Sequence, residues 1–291
     1  VDTTTRIEKA LAVALEPPRG SEHSCPPGLA AALRHAVFPA GARIRPRLVY
    51  AVARACGEAD APLVDAAAVA IELLHCASLV HDDLPCFDDA PLRRGRPSVH
   101  AAYGERLAVL AGDGLIVLAF DVLGRSGARA PARLPRVVQA VARGVGIAGG
   151  IVAGQGWECE PTASLSAYHR AKTGALFAAA TAGGAAAAGY DPHAWSSLGD
   201  RLGEAYQVAD DLRDAVCDAE SLGKPVGRDV ALGRPSAVGA LGIDGAITRL
   251  RSLVAEAVEA IPPCPSADEL RAHVLQEASR LVPRQLARPA A

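Results

Sequence analysis

Two acidic clusters stand about 130 residues apart in the chain. The first is Leu79-Val80-His81-Asp82-Asp83-Leu84-Pro85-Cys86-Phe87-Asp88-Asp89, with Arg93-Arg94-Gly95 just after it. The second is Tyr206-Gln207-Val208-Ala209-Asp210-Asp211-Leu212-Arg213-Asp214. On a helix, Asp210 and Asp214 are i and i+4, and Asp211 and Asp214 are i and i+3, so all three share one edge. Carboxylates crowded in this way are unfavourable unless a cation sits between them. No matching Cys or His cluster accompanies them. Oxygen-only ligands suit Mg²⁺, which takes one or two carboxylates and completes its shell with waters and substrate phosphates. Either cluster alone reads equally well as a solvated acidic face at a helix N-terminus. Both, however, sit at the ends of apolar helical stretches with arginines close by, and together they favour a site for metal and phosphate.

The two segments resemble the paired aspartate-rich motifs of the trans-isoprenyl diphosphate synthases. Asp82-Asp83-x4-Asp88 is similar to their first motif in its bacterial form, and Asp210-Asp211-x-x-Asp214 to the second. Further matches follow in chain order. Gly41-Ala42-Arg43-Ile44-Arg45-Pro46 resembles the GGKRxRP segment, and Gly154-Gln155-x-x-Glu158 a GQxxD segment. Lys172-Thr173-Gly174 resembles the KTG motif, and Leu222-Gly223-Lys224-x-x-Gly227-Arg228-Asp229 the LGKxxGxD loop. The flavour is that of geranylgeranyl diphosphate synthases from bacterial carotenoid pathways.

The resemblance implies an all-α isoprenoid synthase fold and a reaction that joins an allylic diphosphate (DMAPP, GPP or FPP) to isopentenyl diphosphate. The allylic C–O bond ionises, the homoallylic double bond attacks the cation, and a proton is lost. Pyrophosphate leaves only if its developing charge is neutralised at preplaced centres. About three Mg²⁺ ions are implied. Asp82, Asp88 and Asp210 are the implied ligands, and Asp83, Asp211, Asp214 and Asp229 act directly or through waters. Lys172, Gln207 and Lys224, with Thr173 beside them, are the implied catalytic groups on the allylic diphosphate, joined there by Arg93. Isopentenyl diphosphate falls to Arg45, Arg94 and His75. The carbocation must meet no water, so its tail belongs in a dry helical cleft.

Three positions depart from the family pattern. Ala42 stands where the family has a Lys that touches isopentenyl diphosphate, and the neighbouring Arg43 is the candidate replacement, although its side chain starts about 100° further round a helix. Ala90 replaces a further Asp of the first motif, and Arg234, a candidate substrate contact, stands where relatives often have Lys. Chain length is expected to follow the helix that carries the first motif. Five residues before Asp82 is Ala77, where a bulky aromatic in relatives floors the pocket at C15. Five residues are ~7.5 Å of helix and eight or nine are ~12–13.5 Å. The next stops are then Leu74 and Leu73, or a residue of the following helix such as Phe120, which argues for a C20 product. The farnesyl (C15) product is the alternative.

The elements that must position these groups are helices. Of 291 residues, 50% are apolar and 21% charged, so the chain can bury a large core. Net charge is −2, without the basic excess of a nucleic-acid binder. Ala is about one residue in five, aromatics are 4% and Met is absent, so the apolar half is made of small side chains. Helical periodicity recurs at Ile7, Leu11 and Leu15, at Val64, Ala68, Ile71, Leu74 and Leu79, and at Leu107, Leu110, Leu115 and Leu118. Strand signals are nearly absent. Pro- and Gly-rich breaks at 16–27, 125–135, 160–164, 190–192, 221–235 and 262–266 delimit about ten or more helices in one domain spanning 1–291. The longest uncharged run, Thr173 to Tyr190, is mostly Ala and Gly and reads as a buried core helix rather than a membrane span.

Seven cysteines without a CxxC, and no secretory signal in the sequence given, point to a reduced cytoplasmic setting. A homodimer without stable membrane insertion is implied by the family. Three other readings are weaker. A di-iron bundle needs two Glu-x-x-His units, and only Glu72-x-x-His75 is present. A class I terpene cyclase typically carries Asn, Ser or Thr and Glu in its second motif. A non-catalytic partner subunit usually loses its acidic motifs, and both survive here.

Overall fold

The computed structural model describes residues 2–16, 25–38, 41–58, 62–160, 167–168, 170–216 and 236–281. Among them are twelve α-helices: α1 (Thr3–Ala14), α2 (Pro27–Val37), α3 (Ile44–Ala55), α4 (Pro62–Asp82), α5 (Val99–Tyr103), α6 (Glu105–Gly127), α7 (Leu134–Val145), α8 (Ile151–Trp157), α9 (Ala175–Ala187), α10 (Ser196–Val216), α11 (Ala237–Glu259) and α12 (Ala267–Ser279). The all-α expectation holds. The Asp2 carboxylate starts α1 by accepting from Thr4 N at 3.2 Å and Thr5 N at 3.4 Å.

The core is organised around α4 and α9, which are apolar around most of their circumference and therefore buried. α4 packs along α6 and against α3 and α9, while α9 also meets α7 and α10. Small residues set these distances. A Cβ built on Gly184 would lie 2.6 Å from the Val49 carbonyl oxygen of α3, and one on Gly144 of α7 would lie 2.5 Å from the Ala179 Cβ. Gly199 of α10 rests directly on the backbone of Ala178. The uncharged run thus becomes a core helix, with Leu176, Phe177, Ala180 and Ala185–Ala187 buried. α6 is different. Leu115, Ala119 and Leu123 face α4, but Val109, Leu110 and Val117 remain exposed.

One feature carries almost no signal in the sequence. Leu92–Arg93 and Arg96–Pro97 form a short antiparallel ladder, β1 and β2. Its turn residues, Arg94 (φ 54°) and Gly95 (φ 73°), are both left-handed, the conformation of a tight two-residue hairpin. Two-residue strands are too short for periodicity to register. The hairpin is pinned to the α2 end: Arg96 Nη1 donates to the Phe38 carbonyl at 2.8 Å, and Arg96 Nη2 lies 3.0 Å from His35 Nδ1.

Candidate active site

The first acidic cluster occupies the last turn of α4 and the loop beyond it. That loop folds back on the helix end: Asp88 N donates to the Asp82 carbonyl at 2.9 Å and Ala90 N to the Asp83 carbonyl at 3.1 Å. Carbonyls that a helix end leaves open are thereby filled, and Asp88 is set beside Asp82. Asp82 and Asp83 are both buried. Asp82 Oδ1 accepts from Gln155 Nε2 of α8 at 2.9 Å, and Asp82 Oδ2 lies 3.6 Å from Lys172 Nζ. Asp83 is held by the Arg93 guanidinium, with Nε donating to Oδ1 at 3.0 Å. Burial raises both carboxyls above the ordinary range. Lys172 and the Gln155 hydrogen bond oppose this at Asp82, and Arg93 opposes it at Asp83. Both carboxylates therefore sit where added positive charge stabilises them.

Lys172 and Thr173 lie in a short π-helical turn, Arg170–Gly174, that leads into α9. Such turns are frequent at functional positions, because the wider winding re-aims side chains. Lys172 Nζ donates to Glu158 Oε1 at 2.6 Å, and Tyr168 Oη donates to the same oxygen at 2.6 Å. Gly154 lets the turn approach: a Cβ there would lie 2.5 Å from Lys172 N. Thr173 Oγ1 donates to Gln207 Oε1 at 2.9 Å, and Gln207 Nε2 donates to Asp211 Oδ1 at 3.0 Å. Asp211 Oδ2 accepts from Ala237 N at 2.7 Å. Asp210 lies one turn from Arg213, at 3.5 Å. The neighbours Lys172 and Thr173 thus face different clusters, one reaching the end of α4 and the other α10.

A cationic cluster adjoins the first acidic one. The space where a Gly41 Cβ would stand is filled by the Arg94 guanidinium, 2.6 Å away. The Arg45 guanidinium carbon lies 4.8 Å above the Phe177 ring, which itself packs on Tyr206 at 5.4 Å. Burial first, then the charges of Arg45, Arg94, Arg93 and Arg43, hold His75 well below its usual 6.5. Among these arginines the neutral form of the imidazole is favoured.

Arg43 corrects an expectation. Its side chain is 1% exposed. Nη1 bonds Glu72 Oε1 at 2.6 Å, Nε bonds Glu8 Oε1 at 2.8 Å, and Nη2 donates to the Val37 carbonyl at 2.8 Å. The guanidinium is consumed inside the protein, so Arg43 does not stand in for the lysine that Ala42 replaces. Glu72 and Glu158 were legible as residues of motif-like segments, but not as partners of Arg43 and Lys172. Ala77, Leu74 and Leu73 are buried in one core cluster, with Phe120 of α6 packed against it. Lys224, Asp229 and Arg234 lie outside the described residues. Among the described residues, no three His, Cys, Asp or Glu side chains converge tightly enough to hold a metal ion by themselves.

A family model for polyprenyl synthetase matches residues 26–264. The chain belongs to the polyprenyl synthetase family. It is 57% identical to a geranylgeranyl diphosphate synthase of Cereibacter sphaeroides over 97% of both chains. It is 37% identical to the farnesyl diphosphate synthase of Escherichia coli, over 79% of this chain and 80% of that one. Among solved structures, the geranyltransferase of Helicobacter pylori, complexed with magnesium and isoprenyl diphosphate, superposes with a TM-score of 0.80 at 29% identity and covers 96% of both chains. For a polyprenyl synthetase, the departure at Ala42 becomes a local variation on a shared site plan.

Proposed function

We propose that this polyprenyl synthetase is a chain-elongating prenyltransferase that condenses allylic diphosphates with isopentenyl diphosphate to geranylgeranyl diphosphate. The observation that carries the reading is the pair Lys172–Thr173, which sits between two aspartate clusters and touches groups of both. An anion bound there meets Lys172 from one side and the Thr173–Gln207 pair from the other. The 57% identity to a protein named for the C20 product supports the product length.

The oxygen-only donor set fits Mg²⁺. Asp82 and Asp88 on one side and Asp210 and Asp214 on the other are the residues that would hold it, with Asp229, outside the described residues, as a further candidate. Among the described residues no three ligands converge by themselves, which suits an ion that completes its shell with diphosphate oxygens and waters. When bound, it neutralises charge on the departing pyrophosphate. Arg93, Lys172 and Gln207, with Lys224 and Arg234, orient the allylic diphosphate. Arg45, Arg94 and neutral His75 take isopentenyl diphosphate, His75 as a hydrogen-bond donor.

The reading includes a cytoplasmic homodimer. α4 and α6 are each long and apolar enough to cross a membrane, but α4 is mostly buried. The exposed Val109, Leu110 and Val117 of α6 offer an apolar strip for a second copy. Purified chain incubated with Mg²⁺, isopentenyl diphosphate and each allylic primer is expected to give a C20 diphosphate, resolved by chromatography. A C15 product overturns the length assignment, and failure to consume isopentenyl diphosphate overturns the function.

A further inference from the structure

The isopentenyl diphosphate subsite of the proposed reaction is crowded with positive charge before any substrate arrives. The Arg94 charge bears on Arg45, and both bear on His75. Ala42, exposed and uncharged, adds nothing to substrate recognition. In that reading, Arg45, Arg94 and His75 take the homoallylic diphosphate. Two arginines repel, so something must hold them in place.

Beneath them is a buried anion. Glu72 is 1% exposed and precedes His75 by three residues on α4, so the two share a face. Burial lowers the Arg45 guanidinium from its ordinary value, and the Glu72 charge is the largest influence opposing that. Glu72 also bonds Arg43 at 2.6 Å. Arg43 is two residues before Arg45 and takes φ 50°, a left-handed conformation that a long side chain adopts only when its surroundings dictate it. Those surroundings are Glu72, Glu8 and the Val37 carbonyl. The turn they fix runs from Gly41, against which Arg94 lies, into the first turn of α3, where Arg45 projects.

We propose that Glu72, acting through Arg43, is the positioning residue of the isopentenyl diphosphate subsite. Its buried charge locks the left-handed turn at Arg43 and offsets the Arg45–Arg94 repulsion. It touches no substrate. Its removal leaves the allylic site intact, because none of the contacts that hold Lys172, Thr173, Gln207 or Arg93 passes through it.

The proposal rests on the reading of function above, and the experiment separates the two. Steady-state kinetics of the full chain are measured with Glu72→Gln, which keeps the shape and removes the charge, and with Arg43→Lys, which keeps the charge and loses the fork. Glu72→Gln is expected to raise KM for isopentenyl diphosphate about tenfold or more, with KM for the allylic diphosphate within about twofold of wild type. Arg43→Lys is expected to give a smaller rise in the same KM alone. A merely structural role moves both KM values, or neither, together with the melting temperature. Should Glu72→Gln not melt cooperatively, Arg43→Lys decides by the same split. An unchanged KM for isopentenyl diphosphate, or an equal rise in both, overturns the proposal while the function stands. A wild type that does not consume isopentenyl diphosphate overturns both.

Discussion

Thr173 donates to Gln207 at 2.9 Å, while its neighbour Lys172 lies 3.6 Å from Asp82. Two consecutive residues therefore tie the end of α4 to the middle of α10. Any movement of the π-helical turn is felt at both acidic clusters at once. The site is consequently one unit with two acidic walls, and it tolerates damage to the connection poorly.

Gln207→Leu removes the acceptor of Thr173 and the donor of Asp211. Turnover is expected to fall about 10²-fold, the size of losing one preplaced polar group aimed at developing charge. Thr173→Val is expected to fall less, because it spares the Gln207–Asp211 bond. Steady-state kcat for both variants checks the order, and equal losses would count against the relay.

Asp82→Asn separates stability from activity. Burial raises the folded-state pKa of Asp82 above its unfolded value. The sign follows: the stability this group contributes is fully present below the unfolded value and is lost as pH rises through the folded one. At neutral pH this carboxyl therefore weighs against the metal-free fold. The amide is expected to abolish turnover and raise the melting temperature at pH 7, with the gain over wild type shrinking at acid pH. A variant less stable than wild type at pH 7 contradicts this reading.

Gly154→Ala tests the fit of α8 against the π-helical turn. The new methyl would lie 2.5 Å from Lys172 N, a backbone atom that cannot rotate away. A loss of about 1–3 kcal/mol in stability is expected, as for overpacking elsewhere, together with reduced kcat from a displaced Lys172. Chemical denaturation and kinetics on one sample measure both.

Ala77→Tyr places a ring in the last turns of α4, five residues before Asp82. The product is expected to shorten from C20 toward C15, with the first condensation little affected. Product chromatography reads the outcome, and an unchanged length moves the pocket floor elsewhere.

Much of the helical plan was legible from periodicity, because a helix repeats its apolar face every three or four residues. Ile7, Leu11, Val64, Ala68, Ile71 and Leu115 are all buried as that pattern requires. Leu110 is not: it follows the same spacing but is 52% exposed. Periodicity reports that a face is apolar and not what covers it. The hairpin at Leu92–Pro97 escaped because its signal is two backbone conformations, at Arg94 and Gly95, rather than a pattern of side chains. In the site, motif spacing marked Lys172, Thr173, Gln207 and the aspartates. It did not distinguish Arg43, whose guanidinium is turned inward on Glu8 and Glu72, from Arg45, which stacks over the Phe177 ring. Arg43 and Arg45 are two residues apart in one motif, and only the partners Glu8 and Glu72, far away in the chain, give them different roles.

The close approach of α9 to α3, α7 and α10 has a consequence for how product length can evolve. Where backbones already touch through glycine and alanine, there is little side chain left to trim. Reshaping those seams would need helices to part across the core, a change that few single substitutions can make. In the proposed reading, product length is therefore left to the α4 face, where a ring at Ala77 shortens the pocket and trimming Leu73, Leu74 or Phe120 deepens it. Selection on such a scaffold can move length in either direction, but only through these few side chains, while the α9 seams stay fixed.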